Sequence, residues 1–245
     1  MNRRVLVPFS GSPASVAAIP ATARRHDAEV VALVLDLGQG QELEHVRDQA
    51  LGAGAVRVHV LDVREEFARD YAVPSLQASE PGTGTDPLGV RLAAVLIGKK
   101  MAEIARIEEA TPVLDAAEAS STLWGRTGAY VWTRPAADAP ESAADVDIAF
   151  DKGVPAAING VPMIPTELIE ILNIIAGHHG VGRIQLSDTY GEAPAAVVLQ
   201  SAYRALQSAA GDAGAARVHG SVRVMLLKGE HTVVECQVHQ TVSQR

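Results

Sequence analysis

The chain has 245 residues, 47% of them apolar, and a formal net charge of −8 at neutral pH, which is a globular composition with room for one large domain or two small ones. The acidic balance and an aromatic content of only 4% argue against a general nucleic-acid binder, which needs a basic face and stacking rings. No apolar run is long enough to cross a bilayer, and Cys236, the only cysteine, leaves no internal disulfide and no cysteine-built zinc cage.

The start, "MNRRVLVPFSGS", has too short an apolar region for a secretory signal, so a cytoplasmic protein is expected. "RVLVPF" (4–9) reads as a buried strand. "SPASVAAIPATARRH" (12–26) reads as a helix interrupted or kinked at Pro20, which has no N–H to donate. "AEVVALVLDLG" (28–38) is a second continuous apolar strand. "QELEHVRDQALGAGA" (41–55) is an amphipathic helix, with Leu43, Val46, Ala50 and Leu51 at helical spacing and Gly52 and Gly54 as stops. "VRVHVLDV" (56–63) is a third strand, and "REEFARDYAVPSLQAS" (64–79) is helical up to about Pro74. Strands and helices alternating in this way imply a parallel sheet covered on both faces, with ligands bound beyond the carboxyl ends of its strands.

"EPGTGTDPLG" (80–89) reads as a loop and "VRLAAVLIGKKMAEIARIEEA" (90–110) as a long helix. Residues 111–144 give little signal and contain the linker-like run "PAADAPESAAD", which suggests a boundary near 130–145. Beyond it, "DVDIAFDKGVPAAING" alternates with turns at Lys152-Gly153 and at Asn159-Gly160, the latter suited to a type I′ turn. "PTELIEILNIIAGHHG" (165–180) is a helix with Thr166 as a cap and Gly177 or Gly180 near its stop. "VGRIQLSDTY" is a strand, residues 193–211 form a helix, and two strands close the pattern around Lys228-Gly229. The second half is therefore α+β.

Several short stretches carry possible chemistry. A strand running into Ser10, Gly11, Ser12 and Ser15 fits a phosphate cradle, which needs backbone N–H groups and the positive end of a helix dipole. It fits equally an ordinary turn with serine caps, and without Gly-Lys-Ser/Thr it is not a Walker-type loop. Asp36, at a strand end, suits a ribose or ammonium group, or the cap of the next helix. His178-His179 reads as a helix end favoured by the dipole rather than a metal pair, because neighbouring residues on a helix point apart. Glu65-Glu66 reads as a solvated face. Tyr190, with Asp188 and Glu192, offers either a polar binding site or ordinary turn acids.

Taken in order, "DLGQGQELEHVRDQALGAGAVRVHVLDVREEFARDY", "PLG" (87–89), "IGKKMAEIAR" (97–106) and "LWGRT" (123–127) resemble the argininosuccinate synthase family. So do "IAFDKGVPAAINGVPMIPTELIEILNIIAGHHGVGRI" (148–184), "APAAVVLQSAYRAL" (193–206) and "RVHGSVRVMLLKG" (217–229). The resemblance implies an N-terminal nucleotide-binding domain over 1–130, of the PP-loop ATP pyrophosphatase (adenine nucleotide alpha hydrolase-like) type. It implies an α+β synthetase domain over 145–245 and an oligomer, for which a dimer is the expectation here. Such enzymes activate citrulline with ATP and join it to aspartate. By the same resemblance Ser10, Gly11, Ser12, Ser15 and Leu35 fall at the nucleotide, and Thr127, Asp188 and Tyr190 fall at an amino-acid-like substrate.

The departures are informative. The family's Ser-Gly-Gly-Leu-Asp-Thr-Ser loop is here "SGSPAS", one residue shorter, with Ser12 for the second glycine, no aspartate and Pro13 removing an N–H. The Gly-x-Thr-x-Lys-Gly-Asn-Asp run that meets ATP and both substrates is absent. No tyrosine precedes "PLG", and Thr127 replaces a serine. Adenylation needs donors and metal placed in advance around the phosphates, so ATP with magnesium is a doubtful cofactor. Three readings follow: a homologue repurposed around its inter-domain cleft without the parent activity, a divergent ATP-dependent ligase of a specialised pathway, or an oligomerisation partner of an intact synthase.

Overall fold

A computed structural model describes residues 3–78, 89–114, 121–185, 189–211 and 218–239. The chain divides into two compact units, Met1–Phe67 with Val90–Thr122, and Ala68–Gly89 with Leu123–Arg245.

The first unit is a parallel sheet with helices on it. Its strands β1 (Arg4–Pro8), β2 (Glu29–Asp36), β3 (Arg57–Asp62) and β4 (Thr111–Pro112) lie in the order β3-β2-β1-β4. The inner residues of β1 and β2 are buried without a break. Strands covered on both faces read this way. Helices α1 (Pro13–His26), α2 (Leu43–Gly52) and α5 (Val90–Glu108) supply the cover. Val5, Val7, Phe9, Ile19, Val30, Val34 and Val46 form the core between them. Helix α1 continues through Pro20 instead of stopping there.

A helical run follows β3. It starts as α3 (Arg64–Phe67), widens into a π-helical turn over Ala68–Ala72 and ends as α4 (Val73–Ala78). The expected stop at Pro74 does not occur. Pro74 directly follows the π-helical turn and Val73, and the run continues through it to Ala78.

The second unit holds two antiparallel sheets. Strands β5 (Arg126–Thr127), β10 (Tyr190–Glu192) and β9 (Arg183–Gln185) form the smaller, with β10 central. "VGRIQLSDTY" is thus not one strand: Arg183–Gln185 pairs antiparallel with Tyr190–Glu192. Strands β6 (Ala144–Asp151), β7 (Val154–Ile158), β8 (Val161–Pro162), β11 (His219–Leu227) and β12 (Glu230–His239) form the larger, in the order β12-β11-β6-β7-β8. Strict alternation of buried residues along β11 marks a sheet packed on one face. Helices α6 (Pro165–His178) and α7 (Pro194–Ala210) pack on it, α6 beside β7 and α7 beside β11 and β12. Asn159 and Gly160 both take positive φ, 50° and 77°, as the type I′ turn requires. In β12, Val234 is an extra residue between the pairs Arg223–Glu235 and Val224–Val233. The cap of helix α6 falls two residues earlier than Thr166, the residue its sequence suggests. Ile164 is the cap and Pro165 the first helical residue, which leaves the Thr166 hydroxyl buried without a hydrogen-bond partner.

Candidate functional site

In the first unit the turn after β1 carries Ser10, Gly11 and Ser12 into α1. Gly11 has φ 77°, and a Cβ there would stand 3.1 Å from Gln49 Oε1 of α2. Glycine therefore meets both the left-handed backbone and the close approach. Ser12 caps α1, its Oγ accepting from Ser15 N at 3.2 Å. Ser12 O accepts from Val16 N at 3.0 Å and from Ser15 Oγ at 2.8 Å. Ser12 N leans on Ser10 Oγ at 3.4 Å. Pro13, the first helical residue, has no N–H at all.

Ser12 N and Ser15 N are thus bonded within the turn, and Val16 N makes the first helical bond. No lysine or arginine lies between Val5 and Thr22. A triphosphate site depends on free donors and positive charge placed in advance.

Leu35 and Asp36, at the end of β2, are drawn into a second self-bonded loop. Leu35 O accepts from Gln39 Nε2 at 2.8 Å, and Asp36 Oδ1 accepts from Gly38 N at 2.9 Å. Asp36 Oδ2 lies 3.4 Å from Arg64 Nε, whose guanidinium also holds Asp62 at 2.7 Å. Asp36 is not the cap of α2. That position belongs to Glu42, which makes no capping side-chain bond.

Two charge clusters went unread in the sequence. Glu108, at the end of α5, has only 2% of its side-chain surface exposed and pairs with Arg57 at 2.7 Å, His59 at 2.8 Å and Arg4 at 3.3 Å. Burial would raise its pKa, but hydrogen bonds from Arg57 and His59 outweigh that and hold it below the usual carboxylate value. Glu66 is no solvated face: Lys99 and Lys100 both reach it at 2.7 Å.

In the second unit the smaller sheet places Arg126, Glu192 and Arg183 side by side, since Glu192 faces Arg126 on β5 and Arg183 on β9. Glu192 is fully buried. It accepts from Val131 N at 2.6 Å, Trp132 N at 2.9 Å, Thr133 N at 2.8 Å and Thr133 Oγ1 at 2.7 Å. The carboxylate sequence reasoning set beside Tyr190 as a substrate contact is therefore the clamp of segment 131–133. Its guanidinium neighbours lie over nearby rings, Arg183 Cζ 4.1 Å from the Tyr130 centroid and Arg126 Cζ 4.7 Å from that of Trp132.

Tyr190 packs against Tyr130 with ring centroids 5.0 Å apart and planes tilted by 42°, and its hydroxyl donates to Gly128 O at 2.9 Å. Thr127 is half-buried on β5, opposite Gly191. Thr127 and Tyr190 therefore belong to one small sheet, while Asp188 lies outside the described residues.

His178 and His179 end α6, as their position suggested. His179 caps the helix, and its backbone oxygen accepts from Gly229 N at 2.7 Å. Its ring is buried, Nδ1 has no hydrogen-bond partner, and burial together with His178 pulls its pKa below the ordinary histidine value. Among the described residues no group of three His, Cys, Asp or Glu could hold a metal ion, and no helix is long and apolar enough to cross a membrane.

Comparison with known proteins agrees with this two-part architecture. The family model described as arginosuccinate synthase N-terminal HUP domain matches residues 4–119, and that of the arginosuccinate synthase C-terminal domain matches 115–213. Argininosuccinate synthase of Dehalococcoides mccartyi is 27% identical over 288 aligned positions, covering 85% of this chain and 71% of the relative. Those of Streptococcus thermophilus and Bacillus cytotoxicus are 29% and 28% identical over 286 positions, covering 84% of this chain and 71% of theirs. In the first alignment 85% of 245 residues is about 208, so roughly 80 of the 288 positions have no residue in this chain. With both halves of one family matched in order, this chain belongs to the argininosuccinate synthase family.

Proposed function

We propose that this chain is a shortened synthase-family protein that does not join citrulline to aspartate. It keeps the family scaffold and binds a small amino-acid-like ligand instead. The observation that carries this is the serine turn, where Ser12 and Ser10 take up the N–H groups of Ser15, Val16 and Ser12, and Pro13 removes another. Transfer chemistry at a phosphate depends almost wholly on preset donors and charge, and losing a donor set of this kind costs about 3–4 kcal/mol of barrier lowering or more. The roughly 80 unmatched alignment positions point the same way.

Calorimetric titration with ATP, citrulline and aspartate, beside a pyrophosphate-release assay, tests the reading. The synthase of Streptococcus thermophilus serves as the active control. No citrulline-dependent pyrophosphate is expected, and its release at a rate within a hundredfold of the control would refute the proposal.

A second reading is a divergent ATP-dependent C–N ligase of a specialised pathway. The left-handed Gly11 turn, packed under α2, favours it as a preserved piece of loop geometry. It requires ATP binding with pyrophosphate released by a substrate other than citrulline. We further propose a cytoplasmic homodimer, which light scattering of the intact chain would check. Copurification with an intact synthase would instead favour a role as its oligomerisation partner.

A further inference from the structure

We propose that Arg183 and Tyr130 form a binding site for a small carboxylate carried on a flat, ring-like body. The inference deepens the ligand-binding reading above by naming a ligand class and rests on it, but its test does not pass through ATP or citrulline. Arg183 has no acidic partner among the described residues. Its guanidinium carbon lies over the Tyr130 ring, 4.1 Å from the centroid, and one N–H donates to Thr133 O at 2.8 Å. The side chain is exposed, and the N–H groups not bonded to Thr133 are available to a ligand. A guanidinium held over a ring and on a carbonyl presents a positioned fork, which matches the planar, two-oxygen edge of a carboxylate.

The surroundings make the fork rigid before any ligand arrives. Four hydrogen bonds to buried Glu192 fix residues 131–133, and with them the Thr133 carbonyl and the base of the Tyr130 ring. An already ordered guanidinium gives up little freedom on binding. Beside it the Tyr130 and Tyr190 rings, 5.0 Å apart, stay 39% and 40% exposed. Tyr190 donates its hydroxyl proton to Gly128 O, so what Tyr190 offers a ligand is chiefly ring surface. A charged edge next to aromatic faces selects an anion with a flat apolar body.

The test uses the intact chain and three probes: benzoate, acetate and phenyl phosphate, titrated by NMR or calorimetry. Benzoate is expected to saturate and to bind at least tenfold tighter than acetate. Arg183→Lys keeps the charge but loses the fork and the guanidinium–ring contact, and should weaken benzoate at least tenfold. Tyr130→Leu, which keeps an apolar body of moderate size, should do the same, and circular dichroism establishes that each variant is folded. Benzoate binding no tighter than acetate would overturn the flat-body assignment, and tighter phenyl phosphate would overturn the carboxylate. Unchanged benzoate affinity in both variants would overturn the site. Pyrophosphate release by the unmodified chain would count against the proposed function and leave these comparisons intact.

Discussion

Glu192→Gln keeps the shape of the clamp and removes one acceptor oxygen. The carboxylate receives four hydrogen bonds of 2.6–2.9 Å, two on each oxygen. A glutamine can keep one oxygen's pair, and the other position becomes an NH₂ group facing two donors. If the amide oxygen serves Thr133, the Val131 and Trp132 N–H groups lose their acceptor. Val131 is 65% exposed, so water can replace much of that loss. If it serves Val131 and Trp132, the buried Thr133 N–H meets a donor instead. Hydrogen bonds to charged acceptors contribute about 1.5–3 kcal/mol each, and an unsatisfied buried donor costs about 1–3 kcal/mol. The glutamine will take the cheaper arrangement, so a loss of about 2–3 kcal/mol is expected. Trp124 and Trp132, the only two tryptophans, both lie in the second unit. Urea unfolding followed by their fluorescence therefore reports that unit, and the midpoint should fall with little change in slope. Thr133→Val, which deletes one bond, should cost about 1 kcal/mol. A glutamine variant within about 0.5 kcal/mol of the parent would show that the four bonds carry no net stability and that the reasoning is wrong.

Glu108→Gln should destabilise the first unit by about 2 kcal/mol. Arg4 and Arg57 are partly exposed and recover water, so the full cost of breaking a buried pair does not apply. Hydrogen exchange of the β1 amides would report it. The carboxylate's pKa is lowered in the folded chain, so its contribution is present above the ordinary carboxylate pKa and is lost as pH falls through the lowered folded value. His179 sets a different window. Its folded pKa lies below the ordinary 6.5, so the unfolded chain takes up the proton first. Stability of the second unit should be full above that pH and decline as pH drops below it, and His179→Phe should flatten the decline in tryptophan-monitored urea titrations between pH 7 and 5. Gly182→Ala should prevent stable folding of the second unit: at φ 103° its new Cβ would run into the backbone of Pro194, and a cooperative fluorescence transition in that variant would count against the packing described.

The fold was legible wherever periodicity was long. Continuous burial in β2 and alternation in β11 are direct imprints of a two-sided and a one-sided sheet. Strand β4 left no imprint, because two residues, Thr111 and Pro112, carry no period. The split of β9 from β10 depended on pairing Tyr190 with Gln185, which apolar content alone does not encode. Ser12 could be read as a cap because its partner is three residues away. Glu192 could not be read as a clamp, since its partners lie 59 to 61 residues away. The one local hint was a carboxylate directly before the small-residue run "APAAVV", a place where a buried charge needs partners from elsewhere. Glu66 was misread for the same reason, its lysines coming from a helix some thirty residues on.

The extra residue in β12 bears on how the chain behaves in a crowd. Among the described residues β12 is the outer strand of its sheet, the kind of border on which a passing chain can continue the ladder and seed aggregates. Val234 breaks that border into Glu230–Val233 on one side and Glu235–His239 on the other, so the spacing of backbone donors and acceptors falls out of step midway. A would-be neighbour can zip along four or five residues before it must bulge in the same place or let go. The valine thus acts as a misprint in a template, and its deletion should turn a harmless border into a copying surface.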